Sequence, residues 1–143
     1  MKQLLNQRLV LDASVLVKLI STETNSQKII KTWQLFIEDK SELYLPQICY
    51  FEIANVMLVS KKIAIEDIFL FINELKKYDK NQNANDLGLL SSSVGVAQKH
   101  NITPYDSIYI ALAEKIEGIL LTADFQHHKK QFSKKIYYLE DLK

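Results

Sequence analysis

Two apolar runs without in-out alternation stand out along the chain, Leu9-Val10-Leu11 near the start and Ile119-Leu120-Leu121 near the end. Runs of this kind suit strands buried on both faces. The first stops at Asp12 and the second runs on towards Asp124. Between them the spacing becomes helical. A helical turn is expected around Val15-Ile20, followed by an amphipathic helix near Ser26-Glu38 with Ile29, Ile30, Trp33 and Phe36 or Ile37 turned inward. Glu42-Leu45 reads as a short strand ended by Pro46, a residue that also suits the first turn of a helix over about Gln47-Ser60. A further helix spans about Glu66-Tyr78. The polar segment Asp79-Asn85 reads as a loop, with room for a very short strand beside it. A helix near Leu87-His100 follows. Thr103-Pro104 opens another, which Gly118 closes, and a last strand lies around Ile136-Leu139.

Buried strands separated by helices imply a parallel sheet covered on both faces. Ligands of such sheets sit beyond the carboxyl ends of the strands, where Asp12 and Asp124 both stand.

Composition narrows the reading. A chain of 143 residues, 48% hydrophobic and 24% charged, fits one globular domain over 1–143 and excludes a disordered chain. No apolar run approaches the ~18 residues that cross a bilayer. The start resembles no signal peptide, so a cytoplasmic protein without a membrane partner is expected. Three glycines and two prolines leave no linker or visible repeat. The single cysteine, Cys49, excludes an internal disulfide and a cysteine-clustered zinc site, and its apolar setting marks it as a core residue. Net charge is +1, yet His127-His128-Lys129-Lys130 and Lys134-Lys135 make the end basic. A basic rim around an acidic hole suits a nuclease, although such runs are commonly just solvated faces.

The acids carry the chemistry, and each has a structural alternative. Asp12, leaving a strand, could cap the next helical turn, as could Ser14. Glu52 interrupts an apolar helix, on one stripe with Ile48, Asn55, Val56 and Val59, and could reach water from an edge. Asp106 follows Thr103 at capping-box spacing, with Pro104 between them. Asp124 lies just past a strand and could also cap. Together these acids gather at one end of one sheet, where their charges would repel unless a cation joined them. Oxygen ligands without cysteine or histidine select a hard ion, Mg²⁺ or Mn²⁺. Such an ion can activate water and stabilise charge on a phosphodiester. Ser14 and Thr122 are suited to orienting the carboxylates.

The ordered segments Leu-Asp-Ala-Ser-Val-Leu-Val-Lys, Glu-Ile-Ala-Asn-Val, Thr-Pro-Tyr-Asp-Ser-Ile-Tyr-Ile-Ala-Leu-Ala-Glu and Leu-Leu-Thr-Ala-Asp resemble PIN-domain ribonucleases. Among these the chain looks most like the VapC-like toxins of toxin–antitoxin pairs. The resemblance implies a three-layer α/β/α sandwich with a five-stranded parallel sheet. It places Asp12, Glu52, Asp106 and Asp124 on the four acidic positions, with metal held by Asp12, Asp106 and Asp124. Ser14 and Thr122 fall on supporting polar positions. An RNA substrate and an antitoxin partner are likewise implied, and a homodimer is expected.

Other features read more plainly. The His127-His128 pair is expected to be exposed, His100 to end a helix, and Tyr105 and Tyr109 to be core residues. The apolar stretch from Ile63 to Phe71 could serve a dimer or antitoxin contact. Two other functions compete. An α/β phosphatase would want a second Asp where Ser14 stands, and a phosphoacceptor domain would want adjacent acids and a strand-end lysine. A PIN-fold binding module without turnover is the non-enzymatic alternative.

Overall fold

The computed structural model describes residues 1–21 and 26–143. Four parallel strands, β1 (Arg8–Leu11), β2 (Glu42–Tyr44), β3 (Ile119–Thr122) and β4 (Ile136–Tyr138), lie in the order β2-β1-β3-β4. Among the described residues six α-helices flank them: α1 (Ala13–Leu16), α2 (Ser26–Ile37), α3 (Gln47–Asn55), α4 (Ile65–Tyr78), α5 (Leu90–His100) and α6 (Pro104–Lys115). Leu9, Val10, Leu11 and all of β3 are buried, as continuous apolar runs require. From β1 the chain passes outward to β2, whereas from β3 it passes the other way to β4. The carboxyl ends of β1 and β3 therefore bound the switch-point crevice of the sheet.

The sheet has four strands rather than the expected five. The fifth is reduced to a single parallel bridge between Leu43 and Asp79. The segment after Asp79 is polar and unbranched, so it has little to offer a pleated, half-buried surface. Asp79 instead turns its carboxylate inward to accept the amides of Leu45 (3.0 Å) and Asn81 (2.8 Å), which curls the chain into a turn.

On α2 the inward face differs from expectation. Ile29, Thr32, Leu35 and Phe36 are buried, while Ile30 and Ile37 are exposed. Thr32 tolerates burial because its hydroxyl donates to the Lys28 carbonyl at 2.9 Å. Tyr105 is also 65% exposed rather than part of the core, whereas Tyr109 is buried as expected.

Two devices at helix ends place the site. Pro46 lacks a capping side chain, so the first amides of α3 are taken by a distant acid. Asp86 accepts from the Gln47 amide at 2.8 Å and the Ile48 amide at 3.0 Å. At the end of α6, Glu117 rather than Gly118 adopts the left-handed conformation (φ 54°). The Gly118 amide then reaches back to the Ala113 carbonyl at 2.8 Å, and the Glu117 amide to Glu114 at 3.1 Å. The need for glycine is one of space: a Cβ there would stand 2.3 Å from the Arg8 carbonyl oxygen. This close passage admits the register Leu9↔Ile119 to Leu11↔Leu121, which sets Asp12 beside the end of β3.

Candidate active site

Each acid reaches the crevice from a different element. Asp12 ends β1 and caps α1, accepting the Val15 amide at 3.1 Å. Glu52 projects from α3, whose buried face is Cys49 and Ile53, continued by Met57 in the π-helical turn beyond. Asp106 lies in the first turn of α6, where Thr103 caps the helix and its hydroxyl donates to the Asp106 carboxylate at 2.7 Å. Asp124 follows β3. All four line one cavity of about 360 Å³, together with Ser14, Asn55, Tyr109 and His128. Asp12 thus caps a helix and lines the cavity at once, while Asp106 lines the cavity from the first turn of a helix that Thr103 caps.

Asp12 is only 3% exposed, and its oxygens meet four donors. Ser14 and the Val15 amide address Oδ1, while Thr122 and His128 address Oδ2. Ser14 also accepts the Ala123 amide at 3.0 Å, and Thr122 the Asp124 amide at 2.9 Å. These two hydroxyls tie the ends of β1 and β3 together around the carboxylate.

His128 corrects the sequence reading. It is 3% exposed, far from the solvated residue its basic neighbours suggest. Its Nδ1 faces Asp12 Oδ2 at 2.9 Å and its Nε2 faces the Asp106 carbonyl at 2.9 Å. Both partners are acceptors, an arrangement that an imidazolium, with a proton on each ring nitrogen, satisfies. Burial alone would lower its pKa, but the Asp12 carboxylate and the Asp106 carbonyl outweigh this and raise it. His127 is exposed, yet it too serves an acid. Its ring lies 2.7 Å from Asp124 Oδ2, and its amide donates to Oδ1 at 3.0 Å. Partial burial would raise the Asp124 pKa, but the His127 and Gln126 amides and the His127 ring hold it below the usual range. The spacing of Asp124 to His127 signals their contact in the sequence, whereas nothing there signals the contacts of His128 with Asp12 and Asp106.

Glu52 differs from the other acids. Burial pushes its carboxyl up, with Asp12 and Asp106 adding to the effect, although Tyr109 opposes it by donating its hydroxyl to the carboxylate. Tyr109 in turn packs edge-on to His128 at 5.6 Å between centroids.

A pH dependence follows for the metal-free fold. His128 has a raised pKa, so its stabilisation is complete below its ordinary value of 6.5 and is lost as pH rises through the folded value. Glu52, also raised, acts in the same direction from 4.5 upward. Asp124, lowered, contributes only above 3.8 and loses its share as pH falls. In EDTA the melting temperature should therefore be higher near pH ~6 than near pH ~8. His128→Gln should flatten that slope, and thermal melts showing the same slope in both proteins would refute the assignment.

A divalent cation suits the donors of this cavity, since hard carboxylate oxygens line it. The acids do not form a ready-made cage, however. Among the described residues no three His, Cys, Asp or Glu side chains are drawn together as a metal-binding group. The acids line the wall of the cavity, and the His128 ring faces Asp12 there at 2.9 Å. A cation there would share an Asp12 oxygen with a present donor or displace one.

A parallel sheet with acids at its switch point defines a recognised class of α/β domain. Residues 9–133 match the PIN domain, and the chain belongs to that family. It is 30% identical over 133 residues to Ribonuclease VapC3 of Pyrobaculum aerophilum, covering 86% of this chain and 94% of the relative. It also shares its fold with the crystal structure of PAE2754 from Pyrobaculum aerophilum. There the TM-score is 0.63 at 19% identity, covering 94% of this chain and 90% of the other.

Proposed function

We propose that this PIN domain is an endoribonuclease dependent on Mg²⁺ or Mn²⁺, acting in the cytoplasm as the toxin of a toxin–antitoxin pair. The observation that carries the reading is the meeting of Asp12, Glu52, Asp106 and Asp124, from four separate elements, in one cavity at the carboxyl end of the sheet. The ribonuclease named among its relatives supports the choice of RNA over other phosphodiesters.

In this reading Asp12, Asp106 and Asp124 hold the cation. Once bound, the cation supplies an activated water and stabilises charge on the phosphate. Ser14 and Thr122 fix the rotamer of Asp12 by donating one hydroxyl to each oxygen. Glu52, whose carboxyl burial pushes up, is suited to take a proton and to return it to the leaving group. Tyr109 keeps that carboxylate pointed at the cavity. In this reading water attacks the phosphorus directly, without a covalent enzyme intermediate.

An antitoxin would silence the site by inserting a cationic side chain among the acids, and arginine suits best because its fork can bind carboxylates bidentately. Apolar residues exposed on and between α3 and α4, among them Phe51, Leu58, Val59, Phe69 and Leu70, leave surface for such a partner or for a second copy in a homodimer. No helix among the described residues is long and apolar enough to cross a membrane.

The purified protein should cleave RNA with Mn²⁺ or Mg²⁺ and stop in excess EDTA. Expression without a partner should arrest growth, and Asp124→Ala should relieve the arrest. Cleavage undiminished by EDTA would end the metal assignment. Normal growth with abundant, RNA-cleaving protein would remove the toxin role alone, and metal-bound protein that leaves RNA intact would favour a binding module.

A further inference from the structure

A second polar cavity, of about 520 Å³, shares Asp106 with the cavity of the acids. Asp106 lines both cavities, and His127, the partner of Asp124, lines the second, so the two are contiguous. The chemistry of this second space is different. Lys129 is exposed and faces it, and no carboxylate among the described residues pairs with this lysine. Its neighbours in the basic run are engaged elsewhere: Lys130 pairs with Asp141, and Lys135 donates to the Glu117 carbonyl. The His100 and Phe132 rings, both half-buried, stack at 4.5 Å with planes 29° apart and give the cavity an aromatic wall. Asn101 and Gln126, exposed at the rim, add amide donors and acceptors. An unpaired cation, a flat aromatic surface and amide edges are what a nucleotide needs for its phosphate, its base face and its base edge.

We infer that this cavity is a subsite for the nucleotide next to the scissile phosphate of a single-stranded RNA. Lys129 takes the flanking phosphate, the His100–Phe132 pair takes the base, and Asn101 and Gln126 read its edge. The inference rests on the ribonuclease reading, whose acids occupy the adjoining cavity. It adds what that reading lacks, namely the direction in which the RNA leaves the acids: past Asp106 and over the start of α6.

The test uses the full chain and a fluorescein-labelled single-stranded RNA oligonucleotide. Binding is followed by anisotropy in EDTA across a salt series, and cleavage of the same RNA is followed in Mn²⁺. Lys129→Ala should weaken binding by about tenfold and reduce the salt slope by about one phosphate. His100→Ala should weaken it by at least ~5-fold without changing the salt slope. In cleavage both should raise KM by similar factors and leave kcat within about twofold. Lys129→Arg should restore binding, and Lys77→Ala, an exposed cation on α4 beside Glu74, should match the wild type. Wild-type protein that binds and cleaves RNA while Lys129→Ala and His100→Ala do so equally well would overturn the subsite and leave the ribonuclease standing. Protein that neither binds nor cleaves RNA would overturn both.

Discussion

Replacing Asp12 by asparagine should lower metal-dependent RNA cleavage by a factor of about 10² to 10³ while leaving a folded protein. Asp12 is the most enclosed of the four acids and the one held by the most donors. Asparagine keeps an oxygen for the Val15 amide, so the cap on α1 survives. It presents an amide towards Thr122 and His128, which can answer by rotating a hydroxyl and by giving up a proton. The expected cost to the fold is on the order of 1–2 kcal/mol, far less than the loss in rate. Measuring kcat/KM beside a thermal melt separates the two effects. Activity within about threefold of wild type would mean that Asp12 is a helix cap and no more.

The largest loss of stability should come from an acid outside the site. Asp79 is 2% exposed, and its carboxylate accepts the amides of Leu45 and Asn81 and the Tyr50 hydroxyl at 2.8 Å. Burial raises its pKa, and these three donors pull against that rise. Asp79→Ala would leave the buried Leu45 amide and the Tyr50 hydroxyl without an acceptor. Losing such a hub costs about 3 kcal/mol. For a chain of this length that lowers the melting temperature by roughly 10 °C. Asp79→Asn, which retains one acceptor, should lose about a third as much. Cleavage per folded molecule should be unchanged in both. A shift below ~2 °C for Asp79→Ala would show that the turn, and not the carboxylate, holds this part of the chain. The two substitutions form a contrast: at Asp12 activity goes and the fold stays, at Asp79 the reverse.

Much of this architecture could be read from local pattern. The β1 and β3 runs are apolar on both sides because both faces are covered, and the Thr103-Pro104 start of α6 is a capping signal that needs no tertiary context. The acids were visible because each breaks an apolar segment or ends one. What escaped depends on contacts distant in sequence. Asp12 and His128 lie 116 positions apart, and nothing near His128 distinguishes it from a solvated member of a basic run. Tyr105 and Tyr109 are one helical turn apart, yet only the second faces the interior, beside His128 and Glu52. Gly118 was legible as a stop but not as a clearance, because the Arg8 carbonyl that requires it comes from another strand. Asp79 sits in a segment whose composition says loop, and only the fold shows that its first residue is buried.

The turn at Asp79 also governs the outer boundary of the sheet. β2 is an edge strand, and an open edge offers unpaired amides and carbonyls to any extended chain that meets it. Here those groups are already taken: the Lys80 amide donates to the Leu43 carbonyl at 2.8 Å, the Leu45 amide goes to Asp79, and the Asn81 side chain donates to the Leu45 carbonyl at 2.8 Å. A buried charge and a tight polar turn thus end strand addition on this side more firmly than a fifth strand would, since another strand would only move the open edge outward. The same few residues that stop the sheet from widening also protect the domain from self-templated aggregation.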